Sequence, residues 1–208
     1  MKKVFLFAIV FGILFVSFKL ISSTVKPKPT LVAQADYSSN EKFKAEINKV
    51  KKRFGTDSNY NSEVVFMIDM SIPSMRNRFF IYDLKKDSII DRGLVAHGSG
   101  SETGINGKLK FSNINKSLST SLGAYSIGYS YQGKFGKAYK LYGLDDSNSN
   151  AFSRNIVLHK YWNVPYEEQK NYICNSYGCP MVNEIFYSRI QKIIDNSDKK
   201  IILSIYYE

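Results

Sequence analysis

The stretch Arg154–Pro180 reads RNIVLHKYWNVPYEEQKNYICNSYGCP and carries both cysteines and one of the two histidines of the 208-residue chain. The apolar run 156–158 predicts a short strand that ends on His159. A loop then separates His159 from the segment Ser176–Pro180. A cysteine and a histidine brought together by such a loop form a candidate acyl-transfer couple, in which a thiolate attacks a carbonyl and an imidazole carries the proton. The alternative is that Cys179 is a buried, unreactive cysteine.

The residues around Cys179 predict how its thiol is activated. Pro180 favours the first turn of a helix, and an apolar stripe typical of a helix begins at Val182. This pattern predicts that Cys179 lies near a helix N-terminus, where free N–H groups stabilise negative charge and lower the pKa of a thiol. Gly178 lets the backbone turn tightly, and the N–H groups of Gly178 and Cys179 are candidates for an oxyanion hole.

The rest of the chain predicts a mainly β fold with a few helices. An abundance of aromatics, 15 Tyr and 14 Phe, is typical of strands. Apolar residues three and four apart predict one helix over 41–54 and a second in the stripe Val182, Ile185, Phe186, Ile190 and Ile193. The predicted strands, some of them joined in an antiparallel meander, cover residues 64–70, 78–84, 88–96, 156–159 and 201–207, with further strands and tight turns over 125–142 and a long surface loop over 98–124.

Residues 1–35 are predicted to be a targeting segment with a linker, which leaves residues 36–208 as the main domain. Lys2 and Lys3, an uncharged run over 4–18 and then Lys19 form either a cleaved secretory signal or an N-terminal membrane anchor. Both alternatives predict export, to the periplasm or the cell envelope.

The charge and the cysteine count limit the partners. Residues 1–35 contain five lysines and no acid, so their removal lowers the formal charge from +11 to +6. A basic exported protein suits contact with anionic envelope polymers or membrane surfaces. Nucleic acid is not expected, because the lysines are scattered rather than interleaved with aromatics. Two cysteines exclude a four-cysteine zinc site.

Several short motifs, in their order along the chain, resemble the L,D-transpeptidase family and more narrowly the murein L,D-transpeptidase catalytic domain subgroup. The family signature is a histidine followed, after a loop, by Ser or Thr, His, Gly and Cys, and His159 to Cys179 is similar to it. The six motifs that match the subgroup are His97-Gly98, Phe111-Ser112-Asn113, Ser121-Leu122-Gly123-Ala124-Tyr125, Gly143-Leu144 with Asn150-Ala151, Arg154-Asn155-Ile156-Val157-Leu158-His159, and Ser176-Tyr177-Gly178-Cys179-Pro180.

The resemblance implies a β-sandwich or partly closed barrel with Cys179 as nucleophile, His159 as general base and Ser176 shaping the loop around them. The substrate would be a peptidoglycan stem tetrapeptide, which loses its terminal D-Ala to give a thioester and is then joined to a second stem in a 3-3 crosslink. If water resolves the thioester, the site is an L,D-carboxypeptidase. A non-catalytic murein-binding envelope protein is the remaining alternative. No metal or organic cofactor is expected, because a thiol, an imidazole and backbone N–H groups suffice.

The chain departs from the family pattern at three places. Tyr177 stands where the family has His, Met181 stands where Arg or Asn is common, and Lys160-Tyr161 follows His159 in place of Gly-Ala. At the first two of these positions, Tyr177 and Met181, substrate recognition is therefore not carried over from the family.

The candidate substrate contacts are His97, Tyr177, Arg154 and Tyr125. His97 ends a predicted strand, and Arg154 offers a positive charge to a stem carboxylate. Three of them have a structural alternative: His97 as a histidine satisfied by backbone groups, Arg154 as a surface or paired arginine, and Tyr125 as a core tyrosine. Cys174 lies five residues before Cys179. It either forms a disulfide with Cys179 that switches the nucleophile off, or is a loop thiol that does not bridge.

Overall fold

The computed structural model describes residues 40–207, which form one nine-stranded sheet with two α-helices. The predicted targeting segment, residues 1–35, lies outside this range. The strands follow the order β3-β2-β1-β9-β5-β6-β7-β8-β4, and all neighbours are antiparallel except β1–β9 and β7–β8. The elements are α1 (Glu41–Phe54), β1 (Val64–Asp69), β2 (Phe79–Asp83), β3 (Ser88–Gly93), β4 (Val95–Ala96), β5 (Gly123–Gly133), β6 (Gly136–Gly143), β7 (Val157–Lys160), β8 (Met181–Val182), α2 (Glu184–Asp195) and β9 (Ile202–Tyr206).

The sheet curls until its two edges almost meet. The edge strands β3 and β4 are consecutive in sequence and are joined by Leu94 alone, which is buried. A sheet whose first and last strands share one connecting residue must bend round on itself, because edge strands of a flat sheet would lie far apart. The prediction of a mainly β, partly closed barrel or sandwich is therefore confirmed. The predicted strand over 88–96 is divided at Leu94 into the two edges.

Both faces of the sheet are covered at β1, which explains the unbroken apolar run of this strand. Phe66 and Ile68 pack inside the barrel in the cluster that contains Phe186 of α2. Val65 and Met67 point the other way, into the cluster beneath α1. Burying each such side chain stabilises the fold by about 1.5–3 kcal/mol. These contacts hold α1 and α2 against opposite faces of β1.

Helix α1 is the element that the sequence predicts best. Its four apolar residues, Phe43, Ile47, Val50 and Phe54, are all buried. The helix begins where the Asn40 side chain accepts hydrogen bonds from the N–H groups of Lys42 and Phe43, at 2.9 and 3.3 Å, as an N-cap residue does.

No helix within residues 40–207 is both long and apolar enough to cross a bilayer.

The prediction of a helix that starts at Pro180 is wrong. Met181–Val182 forms β8, which pairs with β7 on one side and β4 on the other. Helix α2 begins only at Glu184, with the Asn183 side chain as its cap. The local sequence is compatible with a helix or a strand. Residues 181–182 form a strand because β4 and β7, which are distant in sequence, offer edges with which they can pair.

Two smaller expectations also change. In the predicted helical stripe, Ile185 is exposed and Tyr187 is buried in its place. The loop over 98–124 is only partly at the surface, because Ser101 and residues 119–121 are buried. The Ser101 hydroxyl accepts from the N–H of Thr120, and the Thr120 hydroxyl accepts from the N–H of Gly98, both at 3.0 Å. Gly98 in turn pairs with Ser176, so this part of the loop supports the segment before Cys179.

Candidate active site

One cleft of about 450 Å³ is lined by four of the predicted site residues, though not by Gly178. Cys179, His159, Ser176 and Tyr177 all line it, together with the turn between β5 and β6. Parallel pairing of β7 with β8 aligns His159 with Met181, and the His159 N–H donates to the carbonyl of Pro180 at 3.4 Å. The backbone of β7 therefore places His159 beside the residue that follows Cys179.

The His159 ring is held in one tautomer. Its Nδ1 lies 3.0 Å from the carbonyl oxygen of Lys160, and because a carbonyl only accepts, Nδ1 carries the proton. Nε2 of the neutral ring is then an acceptor, as a general base requires. Phe135 stacks on the ring, with centroids 5.4 Å apart and planes 16° apart. Burial lowers the pKa of His159, and the bond to Lys160 only partly opposes this.

The resting Cys179 is a thiol, contrary to the expectation of a lowered pKa. Burial raises the pKa of Cys179, and the N–H of Val157 and the charges of Arg154 and Lys140 offset this only in part. The half-buried thiol donates to the carbonyl of Asn155 with sulfur and oxygen 3.7 Å apart. The helix dipole invoked from the sequence does not act here, because α2 begins five residues after Cys179 and dipole effects fade within one turn.

The pKa directions of Cys179 and His159 predict the pH dependence of thiol reactivity. A raised thiol pKa and a lowered imidazole pKa give a neutral pair at pH 7, not a thiolate–imidazolium pair. We expect the alkylation rate of Cys179 by iodoacetamide to keep rising with pH beyond the ordinary thiol pKa of about 8.5. Peptide mass spectrometry in a Cys174→Ala background measures this rate, and a plateau reached below pH 7 contradicts the neutral pair.

Gly178 is required by its surroundings. Its φ is +114°, and a Cβ atom there would lie 2.9 Å from the carbonyl oxygen of Ser119, so any other residue is strained and crowded. Its N–H donates to the hydroxyl of Ser176 at 3.0 Å. Of the two N–H groups proposed for an oxyanion hole, that of Gly178 is therefore occupied, and the N–H of Cys179 is the one that remains a candidate.

Ser176 is buried and ties the segment Ser176–Pro180 to the end of β4. Its N–H donates to the carbonyl of His97, and its carbonyl accepts from the N–H of Ser99, both at 2.8 Å. Its hydroxyl holds Gly178. The residue thus fixes the backbone conformation that precedes Cys179.

Arg154 lies beside Gly178 rather than in the cleft wall. Its guanidinium is near Gly178, 3.4 Å from where a Cβ atom would lie, and burial lowers its pKa. Its hydrogen bonds bind together the loop before β5. They run to the carbonyls of Ser112 and Ser119, at 2.9 and 2.6 Å, and to the hydroxyls of Ser117 and Ser121, at 3.2 Å each.

The two tyrosines predicted as substrate contacts occupy opposite environments. Tyr125 is fully buried, and its hydroxyl donates to the carbonyl of Ser121 at 2.6 Å, so it belongs to the core. Tyr177 is 79% exposed and lines the cleft, where it is free to contact a substrate.

His97 faces a different, smaller cleft of about 270 Å³, which Arg78 also lines. The sequence did not predict a role for Arg78. Arg78 is fully buried, and its Nη2 donates to His97 Nδ1 at 2.8 Å. Because Arg78 only donates, Nε2 of the neutral ring carries the proton and donates to Glu102 Oε1 at 2.7 Å. Burial and the nearby Arg78 charge lower the pKa of His97. The only sequence signal for Arg78 is its place directly before an apolar strand.

The two cysteines are free thiols in separate surroundings. Cys174 packs against the buried cluster around Leu94 and Val164, and its sulfur lies 3.5 Å from the carbonyl of Asn163. Cys179 points to the carbonyl of Asn155 instead. No disulfide joins the two sulfurs in this structure, and the latch predicted as one alternative is not formed. Within residues 40–207 no group of three or more His, Cys, Asp or Glu side chains is arranged to hold a metal ion.

Comparison with known proteins identifies a family model that covers most of the chain. Residues 34–206 match the model described as L,D-transpeptidase catalytic domain. No curated protein matches the chain.

Three solved structures show distant similarity. Pgp2, the helical cell shape determining protein of Campylobacter jejuni, is 13% identical with a TM-score of 0.43, and the match covers 70% of this chain and 48% of Pgp2. The L,D-transpeptidase of Xylanimonas cellulosilytica is 12% identical with a TM-score of 0.37, and the match covers 80% of this chain and 70% of that one. The Ldtfm–avibactam carbamoyl enzyme is 8% identical with a TM-score of 0.43, and the match covers 69% of this chain and 49% of that one. The matched part of this chain spans about half the length of Pgp2 and of Ldtfm.

Proposed function

This chain belongs to the L,D-transpeptidase catalytic domain family, and on that premise we propose that it is an exported cysteine acyltransferase that crosslinks peptidoglycan stem peptides. The observation that supports this most directly is the shared cleft of Cys179 and His159, in which Nδ1 of the imidazole is anchored and Nε2 is an acceptor. A thiol and a neutral imidazole that open onto one cleft are what nucleophilic acyl transfer needs.

In the acylation step His159 Nε2 takes the proton of the Cys179 thiol as the sulfur attacks the carbonyl of the third stem residue. The negative oxygen that forms is stabilised by backbone N–H, for which the N–H of Cys179 is the candidate. The C–N bond to the terminal D-Ala then breaks, and the imidazolium gives its proton to the departing amine. A thioester on Cys179 and free D-Ala are the products.

In the second step an amine from another stem attacks the thioester. His159 takes a proton from the amine, the C–S bond breaks, and the sulfur recovers a proton to regenerate the thiol. The new amide is a 3-3 crosslink. Water in place of the amine gives a shortened stem, the L,D-carboxypeptidase outcome, with the same residues in the same roles. Export, through a signal or anchor in residues 1–35, would place these steps at the cell wall.

The experiment that tests this function is a product analysis with the purified, reduced chain and a disaccharide tetrapeptide. We expect mass spectrometry to show a thioester-linked adduct on Cys179, release of D-Ala and crosslinked dimers. Shortened monomers without dimers would assign the carboxypeptidase activity instead. A folded protein that gives neither adduct nor D-Ala would reject both activities and favour a murein-binding role.

A further inference from the structure

A row of aromatic side chains leads from the catalytic imidazole to the protein surface. The first ring, Phe135, stacks on His159, with centroids 5.4 Å apart. Tyr161 meets Phe135 edge to face at 5.1 Å, and Trp162 lies against Tyr161 at 5.6 Å. Phe135 and Tyr161 also line the catalytic cleft. The aromatic row, defined as Phe135, Tyr161 and Trp162, is therefore continuous with the cleft.

The outer end of the aromatic row is not part of the core. Trp162 is 77% exposed and Tyr177, also at the cleft, is 79% exposed, the two highest values among the large apolar side chains of residues 40–207. Trp162 does not line the cleft itself, but it is joined to it through Tyr161 and Phe135. Exposed aromatic surface that continues from a cleft marks a binding site, since the fold gains little by keeping it in water.

The chemistry of the rings selects the kind of ligand. The face of an aromatic ring carries partial negative charge and attracts weakly positive C–H groups. A pyranose ring presents a flat face of C–H bonds and a rim of hydroxyls that stay in water. At the inner ring an amine is disfavoured, because the cation of Lys134 already lies 5.6 Å from the centroid of Phe135. A row of single rings beside a cleft also lacks the broad aliphatic area that a membrane surface needs.

The length of the row fits a sugar attached to the substrate. In the proposed reaction the attacked carbonyl belongs to the third residue of the stem, and three extended residues span roughly 10 Å. The three centroid steps place Trp162 at most about 16 Å from the imidazole. A stem that extends from the reacting carbonyl along the aromatic row would therefore bring its sugar to the outer rings.

We propose that the aromatic row binds the glycan strand, by stacking an N-acetylated hexosamine against Trp162 and Tyr161, so that the enzyme selects stems still attached to sugar. This inference rests on the proposed function for its substrate, but it concerns the sugar and not the bond that reacts. Stacking on one exposed ring is expected to change affinity about tenfold.

The single tryptophan of the chain makes the test direct, because all tryptophan fluorescence comes from Trp162. The full chain carrying Cys179→Ala would be titrated with three probes: a disaccharide tetrapeptide, the free tetrapeptide and a chitin tetrasaccharide. We expect saturable changes in Trp162 emission with the two sugar-containing probes, and about tenfold tighter binding of the disaccharide tetrapeptide than of the free peptide. A Trp162→Ala variant, followed by calorimetry, is expected to lose that tenfold preference. Tyr129→Ala, an exposed tyrosine outside the cleft, is the matched control and retains it.

The proposal is overturned if the free and sugar-linked peptides bind equally, or if the free peptide alone shifts Trp162 emission, which would make the row a peptide site. Failure of the proposed function looks different. In that case wild-type protein forms no adduct with the free tetrapeptide or with a carbapenem, while the chitin tetrasaccharide titration still decides whether the row binds sugar.

Discussion

Cys179→Ala is expected to abolish the covalent adduct with a stem tetrapeptide or a carbapenem and to lower turnover by at least about 10³-fold, because losing the nucleophile of a covalent mechanism costs that much or more. The fold should survive the change. Cys179 is half-buried and packs only at the margin of the main core, so the variant removes a reactive atom without opening a large cavity. Intact-protein mass spectrometry measures the adduct.

The matched control for Cys179→Ala is Cys174→Ala. Cys174 lies in a separate apolar cluster, and burial raises its thiol pKa, so its removal should leave both the adduct and turnover in place. An adduct that persists in Cys179→Ala but disappears in Cys174→Ala would mean that the wrong sulfur has been assigned. An adduct lost in both variants would point to a damaged fold, which circular dichroism would detect.

Arg78→Ala is expected to reduce the free energy of unfolding by about 3–5 kcal/mol and the melting temperature by about 10 °C. The guanidinium is fully buried, and burial lowers its pKa to about 9, so it is still charged at pH 7. Its Nε and Nη2 donate to the carbonyl of Val95 at 3.0 and 2.8 Å, and its Nη1 donates to the carbonyl of Ile72 at 3.1 Å. Removing it leaves these acceptors and His97 Nδ1 unpaired beside a new cavity.

Arg76→Ala provides the comparison for Arg78→Ala at nearly the same place in the chain. Arg76 is exposed and pairs with Glu168 at 3.2 Å, and a surface ion pair contributes about 1 kcal/mol at most. Urea unfolding of both variants measures the difference. Equal losses for the two arginines would show that the buried hydrogen bonds of Arg78 do not stabilise the fold as described.

Local patterns predicted most of the fold. The stripe of α1 and its Asn40 cap lie within a few residues of one another, so the sequence predicts both the helix and its start. The apolar run of β1 likewise predicts a strand buried on both faces. The helix predicted at Pro180 failed because the alternative, strand β8, depends on β4 and β7, which lie far away in sequence.

In the candidate site, too, the sequence predicted some properties and not others. The motif from His159 to Cys179 was sufficient to select the pair that the structure brings to one cleft. It was not sufficient for the pKa of Cys179, which was expected to be lowered and is raised, because burial depends on everything packed around the sulfur.

By itself, then, the sequence determined the mainly β fold class, the helix α1 and the two residues on which the proposed chemistry depends. Only the tertiary structure decided that Tyr125 is a core residue, that Arg154 holds a loop and that His97 pairs with Arg78. The physical reason is the separation along the chain between the residues that interact. Periodicity and capping act between neighbours along the chain, whereas burial, hydrogen-bond partners and pKa are set by groups that meet only when the sheet closes.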